Sequence, residues 1–305
     1  MIKSLNMLAG LLSGVFFFCG CGEQPVRNDG KLRVTAGLPP VAHIARAVAG
    51  DRIRINAMLP EGKSPHEYAP GPQDVRNASA SALFLSTGLP FELRAVKPLA
   101  AVKVADVSEG TLKIPFGGDH EHGPGCIHDH NDHVGHHHEA MDPHVWLDPG
   151  NAGVIAKNIR DRFSALDPAG RELYERNCAA FLKELADADE KIKKELAPFA
   201  GREFFVYHAA FGYFAHRYKL KQTAIELGGR EIAPARLAEV IRRARAARAK
   251  VVFVQPQFNP ASSHALAKAI GGKAAPLDPL AGDVKKNLLE MARVIREGFG
   301  EGAAK

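Results

Sequence analysis

The chain has 305 residues, of which 46% are hydrophobic and 24% charged, with a formal net charge of +6. That length exceeds the size at which a single core usually keeps growing, so two domains with sizeable cores are expected. The positive excess is modest, drops to +5 if the one lysine of the leader, Lys3, is removed with it, and does not suggest a nucleic-acid partner.

The first twenty residues read as an export signal. Lys3 supplies the positive end, residues 7–18 an apolar run, and Phe18-Cys19-Gly20-Cys21 a small-residue exit. Gly20 before Cys21 resembles a bacterial lipobox, so cleavage after residue 20 and lipidation of Cys21 are expected. Phe18 and Cys19 are unusual at the two preceding positions, which leaves ordinary cleavage to a soluble secreted protein as the alternative. An uncleaved membrane anchor is disfavoured because the apolar run falls short of the ~20 residues that span a bilayer. Lipidation of Cys21 would leave Cys126 and Cys178, from which no disulfide framework can be read. One bridge between them is conceivable in an oxidising compartment, and two lone thiols are the favoured case.

Strand and helix patterns then alternate. Strands are predicted over 32–36, 53–59, 82–86 and 102–107, with helices over 41–49 and 74–81. This series defines an N-terminal lobe over 31–165, interrupted by a loop at 117–139. A long helix is predicted over 168–196, with Asp167 as N-cap, Pro168 in the first turn and Pro198 as the stop. At 1.5 Å per residue it would measure about 40 Å, a stiff strut rather than a hinge. A second series over 202–305 follows: strands at 204–207, 222–227, 251–255 and 274–277, helices at 210–218, 235–249, 261–270 and 284–299. Alternation of this kind predicts an α/β fold, two lobes with parallel sheets bridged by a single long helix. Arg242, Arg243, Arg245, Arg248 and Lys250 cluster in one helix, but Leu237, Val240, Ile241, Ala244 and Ala247 recur beneath them at helical spacing. The cluster is read as the solvated face of an amphipathic helix.

The 117–139 segment runs GGDHEHGPGCIHDHNDHVGHHHE, with eight histidines, one cysteine and five carboxylates. Neutral imidazole is a good ligand for zinc, copper, nickel and iron, and so dense a tract offers several interchangeable weak sites. His120, His122, His128, His130, His133, His136, His137 and His138 are therefore auxiliary metal-binding candidates. The competing reading is a solvated loop whose histidines carry no load.

Outside the loop, four candidate ligands stand at the ends of predicted strands or in the turns beyond them: His66, His144, His208 and Asp278. Carboxyl ends of strands border the ligand cleft in α/β sheets, so two residues from each lobe could face each other. Three imidazoles and one carboxylate suit a tetrahedral zinc ion. No local ligand motif joins the four, and spacing alone does not decide between a site and scattered residues. His43, His216 and His264 fall on predicted helices and are read as surface or packing residues.

The stretches GKSPHEYAPGPQD, STGLPFE, MDPHVWLDP, YHAAFGYFAHRYKL and PLDPLAGD, with the helix from Pro168, occur in order over nearly the whole chain after residue 31. Together they resemble the metal-binding solute-binding proteins of bacterial ABC transporters, in the zinc-uptake branch. The resemblance implies two lobes, a bridging helix and a metal held in the cleft between lobes by His66, His144, His208 and Asp278. It also implies zinc, since manganese-type relatives usually carry glutamate where this chain has His208. Gln255 departs from the family pattern, which often has glutamate there, and Asp278 is the least secure of the four ligands.

The function so implied is an exported, lipid-anchored monomeric receptor, periplasmic or at the cell surface. It would capture Zn²⁺ with high affinity and deliver it to an ABC permease, without catalysis. A manganese or iron receptor is the alternative within the class. A secreted zinc hydrolase and a surface adhesin are the alternatives outside it; the chain has no helical HExxH to support the former.

Overall fold

The computed structural model describes residues 30–97, 102–116, 141–227, 230–231, 234–258 and 261–303. The leader, Cys21, Cys126 and all eight loop histidines lie outside the described residues. Among the described residues, no helix is long and apolar enough to cross a membrane.

The first lobe is built from β1 (Leu32–Ala36), α1 (Pro39–Ala49), β2 (Ile53–Ala57), α2 (Pro72–Ser79), β3 (Leu83–Ser86), α3 (Pro90–Val96) and β4 (Lys103–Asp106). Its four strands pair in the order β2-β1-β3-β4, every pair parallel. Proline starts all three helices, where its fixed φ and missing N–H cost nothing. The helix α3 escapes the sequence reading because it is one short stretch of seven residues.

Two long helices follow. Asp148 accepts from the Asn151 amide and Pro149 opens α4 (Pro149–Leu166). Gly150, Asn151 and Gly153 depress helix propensity there, which hides α4 from sequence, but the cap and the buried face of Ile155, Ile159 and Phe163 override it. The expected 168–196 helix is a 3₁₀ turn at Pro168–Gly170 followed by α5 (Arg171–Leu196). Its buried residues Tyr174, Cys178, Phe181, Leu185, Ala188, Ile192 and Leu196 recur every three or four positions as one stripe. That stripe packs on α1 and α4 of the first lobe and on the last helix of the second. Cys178 is a buried free thiol on the apolar face of this helix.

The second lobe comprises β5 (Glu203–His208), α6 (Gly212–Arg217), β6 (Lys221–Leu227), β7 (Arg230–Glu231), α7 (Pro234–Ala246), β8 (Val251–Val254), α8 (Ala261–Ala269), β9 (Lys273–Pro276) and α9 (Val284–Ala303). The order is β7-β6-β5-β8-β9, parallel except for the short edge strand β7, which runs antiparallel to β6. Two lobes with parallel sheets are therefore as expected, and the edge strand β7 is an addition that two residues are too few to announce as a period in sequence. Along β5 the faces alternate as pleating requires. Phe204 and Val206 join a hydrophobic cluster shared with β1, α1, α4, α5 and α9, while Phe205 and Tyr207 join a separate cluster with Val240, Val252 and Leu266. A single apolar core therefore runs from the first sheet through α5 to one face of the second. A core of that continuity resists relative rotation of the lobes.

Candidate metal centre

Three histidines converge between the two sheets. His66 stands in the segment that follows β2, where its backbone amide donates to Ser64 Oγ at 3.3 Å and Tyr68 closes a turn back onto Ser64. The Tyr68 hydroxyl bridges Met58 O and Asp74, at the start of α2, so this segment is tied to the first lobe. His144 precedes a 3₁₀ turn at Val145–Leu147 that leads into α4. His208 is the last residue of β5, at the carboxyl edge of the second sheet, as the strand-end argument predicts.

Ligand atoms of His66, His144 and His208 all lie within 4.8 Å of one another. His66 Nε2 and His208 Nε2 are 3.1 Å apart, against the about 3.3 Å edge that tetrahedral zinc with nitrogen ligands requires. Buried carboxylates orient two of the rings. Asp142 Oδ1 accepts from both the backbone amide (2.9 Å) and Nδ1 (2.7 Å) of His144, and Glu226 Oε2 accepts from His208 Nδ1 at 2.5 Å. A carboxylate only accepts, so the proton sits on Nδ1 in both rings and the Nε2 lone pairs face inward. His208 and Glu226 are side-by-side partners in the β5–β6 register. The His208 amide donates to Gln255 Oε1, and Phe116 and Phe258 flank the ring.

Burial lowers the pKa of His66 to about 4, assisted by the neighbouring His208 and His144 and opposed by Glu226. Burial also lowers His208, although its hydrogen bond to Glu226 pulls the other way. Both rings are therefore held neutral, the form that binds a metal ion.

The fourth ligand expected from the resemblance is not brought into this cluster. Asp278 lies outside the group of atoms within 4.8 Å. Its Oδ1 accepts from Gln257 Nε2 at 2.6 Å and from the Leu280 amide at 2.9 Å, and its carbonyl accepts from Asn287. Asp278 organises the turn between β9 and α9. The other histidines lie outside this cluster: His43 packs edge-on against Phe181, and His216 and His264 are exposed. Sequence reasoning assigned no role to Asp142 or Glu226. Asp142 lies two residues before His144, within an already conspicuous motif, and Glu226 is a lone acid in a strand of otherwise uncharged residues after Lys221.

A family model described as zinc-uptake complex component A, periplasmic, matches residues 34–297. The high-affinity zinc uptake system protein ZnuA of Yersinia pestis is 31% identical over 268 residues, 83% of this chain and 84% of that protein. The zinc-binding lipoprotein AdcA of Streptococcus pneumoniae strain R6 is 32% identical over 286 residues, covering 92% of this chain. The chain spans about 56% of the length of that relative. A crystal structure of a ZnuA deletion mutant with zinc bound superposes with a TM-score of 0.78 at 31% identity, covering 88% of this chain and 98% of the other.

Two α/β lobes on a stiff helix, with sequence and structural relatives of this kind, define a solute-binding protein. The chain belongs to the family of periplasmic A components of zinc-uptake complexes.

Proposed function

We propose that this chain captures Zn²⁺ outside the cytoplasm, with His66, His144 and His208 as its ligands, and passes the ion to the membrane permease of an ABC importer. The observation that carries the reading is the convergence of three buried or half-buried imidazoles, two of them oriented by carboxylates, at spacings suited to a tetrahedral ion. Three nitrogen ligands favour the zinc end of the divalent series, whereas manganese prefers harder oxygen. Asp278 stays with its turn. Capture and release need no chemistry on the cargo, so the protein is a receptor and not an enzyme.

In the mature protein, residues 1–20 are removed and Cys21 carries the lipid anchor. The protein is a monomer, and the 117–139 histidines are weak auxiliary sites beside the tight one. The test is the metal content of protein purified without chelator, followed by competitive titration of zinc against manganese. One tightly held zinc per chain, preferred over manganese and lost in His144→Ala and His208→Ala, supports the reading; manganese at equal or higher affinity rejects it. Restoration of zinc uptake in a deletion strain by the full chain, but not by His144→Ala, tests delivery.

A further inference from the structure

The three imidazoles are unequally held. His208 is tied through Nδ1 to Glu226 and through its amide to Gln255, and its side chain is 2% exposed. His144 is tied twice to Asp142 Oδ1, and its side chain is 4% exposed. Moreover, the segment that bears His144 is fastened to the second lobe at three points. Tyr213 donates to Asp142 O at 2.8 Å, Trp146 Nε1 donates to Pro279 O at 2.7 Å, and Arg217 pairs with Asp148 at 3.3 Å. Arg217 is itself anchored to Asp189 of α5 at 2.5 Å. The segment is also bonded to the stretch after β4, where the Asp142 amide donates to Ile114 O at 2.9 Å, so His144 is fastened from both lobes, beside His208.

His66 differs in both respects. Among the described residues, no carboxylate accepts from its ring, whose hydrogen bond is the one to His208 Nε2. Its segment is held to the first lobe through Tyr68. The ring is half-buried where the other two are buried.

Building on the zinc reading, we infer that Glu226 and Asp142 are positioning residues that make His144 and His208 a preorganised two-nitrogen docking site, which His66 closes after the ion has arrived. Preorganised ligands pay no ordering cost at encounter, so they set the association rate. A ligand that joins afterwards governs how long the ion stays. An outer partner that fixes a ligating imidazole's tautomer and angle is typically worth about 10- to 100-fold in metal affinity.

The experiment is stopped-flow zinc binding and release with the full chain and its variants, alongside the visible absorption of the cobalt-loaded protein. His66→Ala should leave the association rate within about threefold of the unaltered chain and speed dissociation about 100-fold, whereas His144→Ala should cut association itself. Glu226→Ala should slow association at least about tenfold and change the cobalt spectrum. Glu226→Gln is near-isosteric and keeps an acceptor for His208 Nδ1–H, so it should restore most of the rate and the spectrum. This rescue separates positioning from a general loss of folding. Equal loss of association rate in His66→Ala and His144→Ala overturns the inference while the zinc site stands, as does Glu226→Ala with an unchanged rate and spectrum. If none of the histidine variants weakens zinc binding, the zinc reading fails and the inference with it.

Discussion

His66 Nε2 and His208 Nε2 stand 3.1 Å apart, one from the segment after β2 and the other from the end of β5. Two neutral imidazoles can share only one hydrogen at that distance, and burial opposes protonating either ring to supply more. The pair is electrostatically suited to a cation placed between the two nitrogens. Replacing His208 by an oxygen ligand therefore tests metal choice. His208→Glu should weaken zinc and narrow its advantage over manganese, because carboxylate suits the harder ion. His66→Ala and His144→Ala should weaken both metals without that shift in ratio, as read by competition titration.

Gly212 opens α6, and a Cβ added there would sit 2.6 Å from Asp142 Oδ2 and 3.4 Å from the Ile114 side chain. The carboxylate that would be displaced is the one that orients His144. Gly212→Ala should lower zinc affinity about tenfold, the order expected for a lost outer partner of a ligating histidine. Calorimetry with unchanged zinc affinity in a folded Gly212→Ala protein would show that Asp142 tolerates movement.

Deleting residues 118–138 should remove weak zinc sites and leave the tightest one, since a tract of interchangeable ligands offers only weak sites while ligands preorganised in the cleft avoid an ordering cost on binding. Titration calorimetry checks this. Disappearance of the tightest site along with the loop would move the main site out of the cleft.

Glu92 is wholly buried under α3. Ser86 Oγ, the Thr87 and Leu89 amides and the Thr87 hydroxyl all donate to its Oε2, while Oε1 packs against Gly37 without a partner. Burial raises its pKa from 4.5 to about 7, and the four donors hold the rise in check. The folded chain therefore binds this proton more tightly than the unfolded chain. The contribution to stability is complete below pH 4.5, is lost as pH rises through 7, and amounts to about 3 kcal/mol for a shift of this size. Glu92→Gln should remove that slope and raise the melting temperature at pH 8 relative to the unaltered chain. Parallel stability curves for the two proteins between pH 4.5 and 8 would place the titration elsewhere.

Much of this architecture is legible in sequence because the lobes alternate strands and helices with clear periods. Leu32–Ala36 is matched to the residue, and α1 and α9 are found with boundaries displaced by a few positions. The three histidines are legible because each falls within a motif, although only His208 stands at a strand end and His66 and His144 lie in segments beyond one. Their carboxylate partners are not, because the contact of Glu226 with His208 depends on a parallel register that no local pattern specifies. Asp278 is the converse case: its position after β9 suggests a ligand, while in the fold its Oδ1 accepts from Gln257 and the Leu280 amide, contacts that no local pattern announces. In α4, tertiary burial of Ile155, Ile159 and Phe163 outweighs the glycines that conceal the helix from propensity.

The most direct measurement is zinc-edge X-ray absorption on the chain lacking residues 118–138 and loaded with one equivalent of zinc. The predicted spectrum has three imidazole nitrogens at about 2.0–2.1 Å, with no sulfur. Those imidazole signals should fall by one in His144→Ala. A shell dominated by carboxylate oxygen, a sulfur neighbour, or a spectrum unaltered by His144→Ala would contradict a three-histidine zinc site.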